Sequence, residues 1–509
     1  MTIYTVELQA HDGSGVVSLY AASDRYNTGP TDTPADKHFS PRLKVSASFE
    51  RALFQGGGAG QGTPEIGFGE IVVINADGML DAWADYAFDG RPCVVKAVEP
   101  GGAYATATVL VRGRIESVDV TDVFRTIRLR LYDPLIDLDR PLLTTAYAGT
   151  TNAAGQGAEG TSDLAATLKP RVYGVVWNIA PTNVNPFELI YQVSDRPVAS
   201  VIAYDGGLAL TNSGDSATVA ALTAATIPAG SYRTCLALGL IRLGGSPARA
   251  VTADVVAGAA PTNRSTARIV QAMLGDTGVP ADSIDAASFD ALHAAAPAIN
   301  GIRVQGDVTV MTAIGQVLRG VGAWIITTAQ GLYQVGRFTG PTTMPVASLA
   351  NWQLRGDVER LATGSDDTGI PTWRVVVRYK PLGVVQGEGD LVGAVSAARR
   401  AANAQAWREA AAENPATQAR WLTARVLTVE TGLANLVEAQ AEANRLLALF
   451  GPKRALWRIR VDSRFAIGVE LGETVCLTLP RHLPTGGLFV VTGRVDDASA
   501  NRVQLDLWG

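Results

Sequence analysis

The sequence predicts a mixed, β-rich α+β chain of several domains, and three observations carry that expectation. Short runs of β-branched and aromatic residues alternate with polar ones along much of the 509 residues. Turn formers such as Asn75-Ala76-Asp77-Gly78, Asp205-Gly206 and Gly244-Gly245 punctuate these runs, within a total of 53 glycines. Helical periodicity is confined to a few segments in the second half. A chain of this length has room for roughly three to five domains, each large enough to need no disulfide or metal to hold its core.

Residues 1–145 read as an N-terminal β-rich domain. Ile71-Val72-Val73-Ile74 is a β-branched run closed by the turn at Asn75. Ile127, Leu129 and Leu131 alternate with Arg128 and Arg130, so aliphatic groups line one face of a strand and guanidinium groups the other, until Tyr132-Asp133-Pro134 ends it. Gly56-Gly57-Gly58-Ala59-Gly60 reads as a loop, without the Gly-Lys-Ser/Thr ending of a phosphate-binding loop. Residues 146–162 are small and polar, a linker or long surface loop. A second β-rich domain at 163–260 opens on Arg171-Val-Tyr-Gly-Val-Val-Trp-Asn-Ile.

A mixed α/β domain is expected at 261–350. Ile269, Val270, Met273 and Leu274 fall at helical spacing, with Ser265 or Thr266 as N-cap. Val310, Ile314, Val317, Leu318 and Val321 form one buried helical face. Trp324–Thr328 and Leu332–Val335 flank Ala329-Gln330-Gly331, a hairpin pattern. The last domain, 351–509, begins with Trp373, Val375, Val377 and Tyr379 alternating along a strand. Helices are expected at about 391–412, where alanine is frequent, and at 433–450, where Gly451-Pro452 supplies the stop. Trp457-Ile459-Val461, Val475-Leu477-Leu479 and Val503-Leu505-Leu507 read as closing strands.

Composition narrows the function. Apolar residues make up 47% and charged residues 18%, a globular balance. A net charge of −5 opposes a role in coating nucleic acid. The odd count of three cysteines, Cys93, Cys235 and Cys476, with no Cys-x-x-Cys pair, reads as small buried side chains in a reducing compartment. The N-terminus has no basic stretch followed by an apolar run, and no apolar stretch approaches the ~20 residues of a membrane span.

Reactive groups do not assemble along the sequence. His11, His38, His293 and His482 are scattered, with no His-Glu-x-x-His pattern, and no Gly-x-Ser-x-Gly elbow appears. Asp77, Asp81, Asp85 and Asp89 recur every four residues; this spacing suits hydrated turns and equally a carboxylate pair for glycoside hydrolysis. Arg399-Arg400 and Lys453-Arg454 read as solvated helix faces, or as contacts to an acidic neighbour or to DNA. We assign no catalytic, cofactor-binding or metal-ligating residue and no cofactor, and the chain is not expected to be an enzyme.

Several phrases, spread in order over most of the chain, resemble the phage and prophage tail proteins of the baseplate-hub or tail-tip type. They are Phe68–Asp81, Leu168–Asn178, Gly230-Ser-Tyr-Arg-Thr with Gly239–Gly245 and Val251–Asp254, Arg378-Tyr through the Ala-rich segments to Gly451, Phe465–Val475, and Val503–Gly509. The resemblance implies β-barrel-like hub domains with mixed domains between them. It implies a homotrimer that closes the tail tube and meets the distal tail protein, the tape-measure protein and central spike or fibre proteins, with transient DNA passage. It places the chain in the virion after synthesis in the host cytoplasm, without a membrane span. A distal-tail ring or receptor-binding baseplate protein is the first alternative; a carbohydrate hydrolase using Asp77 to Asp89, or a carbohydrate-binding adhesin, follows. A mean hydropathy of +0.13 suits surface reserved for neighbouring subunits.

Overall fold

The computed structural model describes residues 2–54, 64–121, 123–361 and 370–509. The glycine-rich stretch Gly56–Gly60 lies outside them. The fold is mixed and β-rich, organised in several sheets, with no closed barrel among the described residues.

The largest sheet has 15 strands and draws on both ends of the sequence. Within residues 2–132, Ile3–His11 pairs antiparallel with Val16–Ala22 and Pro92–Val98, and the order continues through Thr108–Thr121, Thr126–Tyr132, Phe68–Ile74 and Leu43–Ala52. The Thr126–Tyr132 strand alternates as its sequence predicts, with Ile127, Leu129 and Leu131 buried and Arg128 and Arg130 exposed. Those aliphatics join Val6, Leu8, Ile71 and Val95 in a core of their own.

Leu43–Ala52 then pairs with Leu483–Asp497, placing Arg51 opposite Arg494. Beyond it the order runs Arg502–Trp508, Leu456–Asp462 and Glu359–Arg360, while Thr474–Leu479 pairs with the first part of Leu483–Asp497. At the seam Phe338 packs against Phe54, Phe450 and Trp508, with ring centroids 5.6, 6.5 and 5.0 Å away. A single apolar cluster therefore contains residues from Leu53 to Trp508.

Residues 171–256 supply all five strands of one sheet and four of the five of another, over a shared core of Val172, Val176, Tyr191, Ile241 and Val255. Arg171–Ile179 also pairs with Gly301–Val304, where Gly174 and Gly301 stand opposite each other. Gly174 has φ +66°, and a Cβ there would meet the Asn300 carbonyl oxygen at 1.9 Å. Only glycine fits this crossing.

The expected helices appear at Thr266–Asp276 and Val310–Arg319. Val310, Ile314, Val317 and Leu318 are buried as their spacing predicts, and the Thr309 hydroxyl caps the helix by accepting from Thr312 N at 3.2 Å. Ser265 is the N-cap of the earlier helix, but its hydroxyl is spent on His293 Nδ1 at 2.8 Å. Ala323–Thr327 and Tyr333–Arg337 form the expected hairpin.

One expectation is corrected. The alanine-rich stretch 391–412, read as one helix, is helical only over Ala397–Asn403; Arg408–Glu413 is a strand. It pairs antiparallel with Thr372–Tyr379, whose other neighbour, Arg425–Glu430, runs parallel. Ala410 and Ala412 are buried among that sheet and the Leu436–Phe450 helix. Cross-strand pairing and burial there outweigh the modest helix preference of alanine.

A buried carboxylate beside the seam gives a pH prediction. Asp133 caps the turn Pro134–Leu138, accepting from Leu135 N at 2.7 Å and Gly67 N at 2.8 Å. Burial pushes its carboxyl up to about 7, against the pull of these donors and of Arg51. The folded state therefore holds its proton more tightly than the unfolded chain, so this contribution is full near pH 4 and is lost as pH rises through about 7. Urea midpoints should fall from pH 5 to pH 8, and Asp133→Asn should flatten that slope.

Candidate functional site

The sequence segments carrying the resemblance prove to hold the fold together. In Leu168–Asn178, Arg171 Nε and Nη2 meet the Asp195 carboxylate at 2.8 and 2.5 Å with both side chains buried. Arg171 Nη1 and the Tyr173 hydroxyl both reach Asp276 Oδ2, at 3.2 and 2.8 Å, binding the second β-rich block to the Thr266–Asp276 helix. Asn178 Nδ2 donates to the Val384 carbonyl at 2.7 Å. Tyr232 donates to the Val201 carbonyl at 2.6 Å, and Asp254 accepts from Asn178 N and the Tyr204 hydroxyl at 2.7 and 2.8 Å. These donors and carboxylates are engaged by the protein itself.

The four aspartates do not converge on a substrate-sized site. Asp77 is held by both terminal nitrogens of Arg42 at 2.8 and 2.6 Å, and this hydrogen-bonded pairing lowers its carboxyl to about 2. A carboxyl so committed to its ionised form is a poor general acid. Asp81 accepts from Asn75 Nδ2 at 2.7 Å, while Asp85 and Asp89 face solvent. Among the described residues no group of three His, Cys, Asp or Glu side chains could hold a metal ion. Asp77→Asn should leave the urea midpoint nearly unchanged, because an exposed ion pair contributes little to stability.

The basic pairs, expected on solvated faces, are instead engaged within the chain. Arg399 lies 3.8 Å from the centroid of the Tyr204 ring, and Arg400 meets Glu388 at 2.7 Å and three carbonyls. Arg454 stacks 4.7 Å from the Trp508 ring centroid and donates to the Leu449 carbonyl, and Lys453 sits 5.0 Å from the Trp421 centroid. Aromatic faces attract cations without neutralising them, a pairing that charge counting along the sequence does not reveal. Cys93 and Cys235 are buried and Cys476 half-buried, all in strands and free. Burial pushes the Cys93 thiol far up, so it is inert at neutral pH.

What the surface does present is apolar. The strand Ala347–Ala350 pairs parallel with Thr474–Leu479 on one side and with no other described strand. Around this open edge Met344 is 82% exposed, Trp352 73% and Val346 54%, with the Trp352 ring edge-on to Phe465 at 5.4 Å. A second apolar tip lies where Thr108–Thr121 turns into Thr126–Tyr132: Val123 is 91% exposed and Phe124 50%, and the Phe124 carbonyl is tied to Asn75 Nδ2 at 2.9 Å. Unpaired backbone beside exposed large side chains is the signature of a surface made to be covered. Sequence periodicity did not single out these residues. It separates faces of an element and is silent on which apolar groups stay outside.

No helix among the described residues is long and apolar enough to cross a membrane. No family model matches the sequence, and no curated protein matches it. Solved structures do. A tail protein from Neisseria meningitidis is similar over 99% of this chain and 96% of its own, at 12% identity and a TM-score of 0.43. The 43 kDa tail protein of prophage MuSo2 from Shewanella oneidensis is similar over 99% and 95%, at 8% identity and a TM-score of 0.39. A prophage tail protein from Listeria monocytogenes is similar over 100% and 94%, at 8% identity and a TM-score of 0.38. These three solved structures are tail proteins, each similar along almost the whole of this chain at 12% identity or less.

Proposed function

We propose that the chain is a structural component of a phage tail tip: a baseplate hub that closes the tail tube and anchors spike or fibre proteins. In this reading three copies form a ring in the virion, in contact with the distal tail protein above and the tape-measure protein within. The observation that carries it is the open Ala347–Ala350 edge with its exposed Met344, Val346 and Trp352. A ring subunit needs such a surface, because obligate contacts bury large apolar areas and pair free strand edges. The in-order sequence resemblance points the same way.

A tube through which DNA passes must not hold it. The net charge of −5 and the intramolecular use of Arg399, Arg400, Lys453 and Arg454 both reduce retention of a polyanion. Native mass spectrometry tests the reading. Trimers are expected, and Trp352→Glu with Val346→Glu should shift the population to monomer without lowering the melting temperature. A sixfold ring would favour the distal-tail alternative. A chain that stays monomeric at high concentration would defeat the hub reading.

A further inference from the structure

A cleft of about 380 Å³ opens where the second β-rich block meets the Val310–Arg319 helix and the three-stranded sheet. Its walls include Trp177, Trp407, Leu382, Arg303 and Arg319, with Glu430 at one side. The volume falls in the range of small-ligand pockets, about 300–1,000 Å³. Two tryptophans and a leucine offer apolar surface, and the two arginines give the cleft its character.

Neither arginine has a counter-ion. Among the described residues no carboxylate lies within ion-pair distance of Arg303 or Arg319, and Nε of each is closed off from solvent without an acceptor. The third unsatisfied buried atom on the walls, Trp177 Nε1, is also a donor. Glu430 does not answer them: its carboxylate is engaged by Arg378 at 3.0 Å, and Arg378 also holds Glu409. A further cation stands at the rim, where Lys380 Nζ lies 3.9 Å from the centroid of the Trp177 ring. Burial lowers the Arg303 guanidinium, and burial together with Arg408 lowers the Lys380 ammonium. The more deeply buried arginines of the fold are paired: Arg171 with Asp195 and Arg494 with Asp496.

We propose that this cleft binds an acidic peptide segment of a partner protein, a carboxylate side chain with an apolar neighbour. The carboxylate meets the guanidinium groups of Arg303 and Arg319, which no carboxylate among the described residues engages, and guanidinium groups match its planar geometry. The apolar neighbour rests on Trp177 and Trp407. A polyanionic nucleic acid is disfavoured by the chain's net charge of −5, which gives no long-range attraction, whereas one carboxylate needs only the local field. The inference does not rest on the hub reading, because binding is measurable whether or not the chain forms trimers.

The test is calorimetric titration of the full chain with acetyl-Leu-Asp-Leu-amide, with acetyl-Leu-Asn-Leu-amide as the uncharged probe and phenyl phosphate as the phosphate probe. Saturable binding of the aspartyl peptide is expected, about tenfold or more tighter than the asparaginyl peptide, and weakening as salt rises. Arg319→Gln and Arg303→Gln should each lose about tenfold, a charge-assisted hydrogen bond's worth. Trp407→Ala, which leaves both charges in place, should also weaken binding, and it serves if an arginine variant fails to fold. Equal affinity for the two peptides, no binding of either, or wild-type affinity in Trp407→Ala and the folded arginine variants would overturn the proposal. Tighter binding of phenyl phosphate than of the aspartyl peptide would overturn it in favour of a phosphate-bearing partner.

Discussion

Phe338→Ala should be the most damaging apolar truncation in the chain, costing ~3–5 kcal/mol. Phe338 is 1% exposed and touches aromatic rings from three distant stretches, Phe54, Phe450 and Trp508. Each belongs to a different part of the seam, so they have no shared flexibility with which to close the void. A cavity that cannot collapse keeps its full cost. Urea unfolding followed by near-ultraviolet circular dichroism reads the loss directly, since the aromatic signal of this cluster should disappear first. A cost under about 1 kcal/mol would show that the cluster is not a joint.

Arg494→Ala should cost ~3–5 kcal/mol by a different route. Its side chain is 4% exposed, and Nε and Nη2 hold Asp496 at 2.8 and 2.7 Å. Nη1 donates to the carbonyls of Ala466 and Val469, pinning the Ser463–Val469 segment to the seam strand. Alanine leaves Asp496 largely buried with no counter-ion and frees two carbonyls, and the unpaired charge is the larger penalty. Adding Asp496→Leu to Arg494→Met should recover much of the loss, because an apolar pair needs no compensation. If the double variant were no better than Arg494→Ala, the carbonyl contacts rather than the ion pair would dominate. Chemical denaturation of the three variants at one pH separates the cases.

The elements legible in the sequence are those whose signal is local. Ile127, Leu129 and Leu131 announce a half-buried strand, and Val310, Ile314, Val317 and Leu318 announce a helix face, because one neighbouring surface decides each pattern. Tyr132-Asp133-Pro134 reads correctly as a stop, and Asp133 performs it by capping the next turn. Arg408–Glu413 departs from its helical composition because its conformation is set by Thr372–Tyr379, whose paired residues lie 29 to 39 positions earlier. The pairing of Leu43–Ala52 with Leu483–Asp497 leaves no mark in either segment. For the surface, the aspartate series and the basic pairs drew attention through spacing alone, whereas Trp352, Val346, Arg303 and Arg319 matter through what does not cover or neutralise them. Sequence cannot display a missing neighbour.

The strand Leu43–Ala52 has a consequence for how the molecule is made. One of its partners, Leu483–Asp497, leaves the ribosome long after it does. During synthesis the early strands carry an unsatisfied margin that other nascent chains on the same messenger also carry. Completion of the seam is thus a late, long-range closure, slow by its topology. Polysome density and chaperone supply, more than the final stability, should govern the yield of well-formed protein.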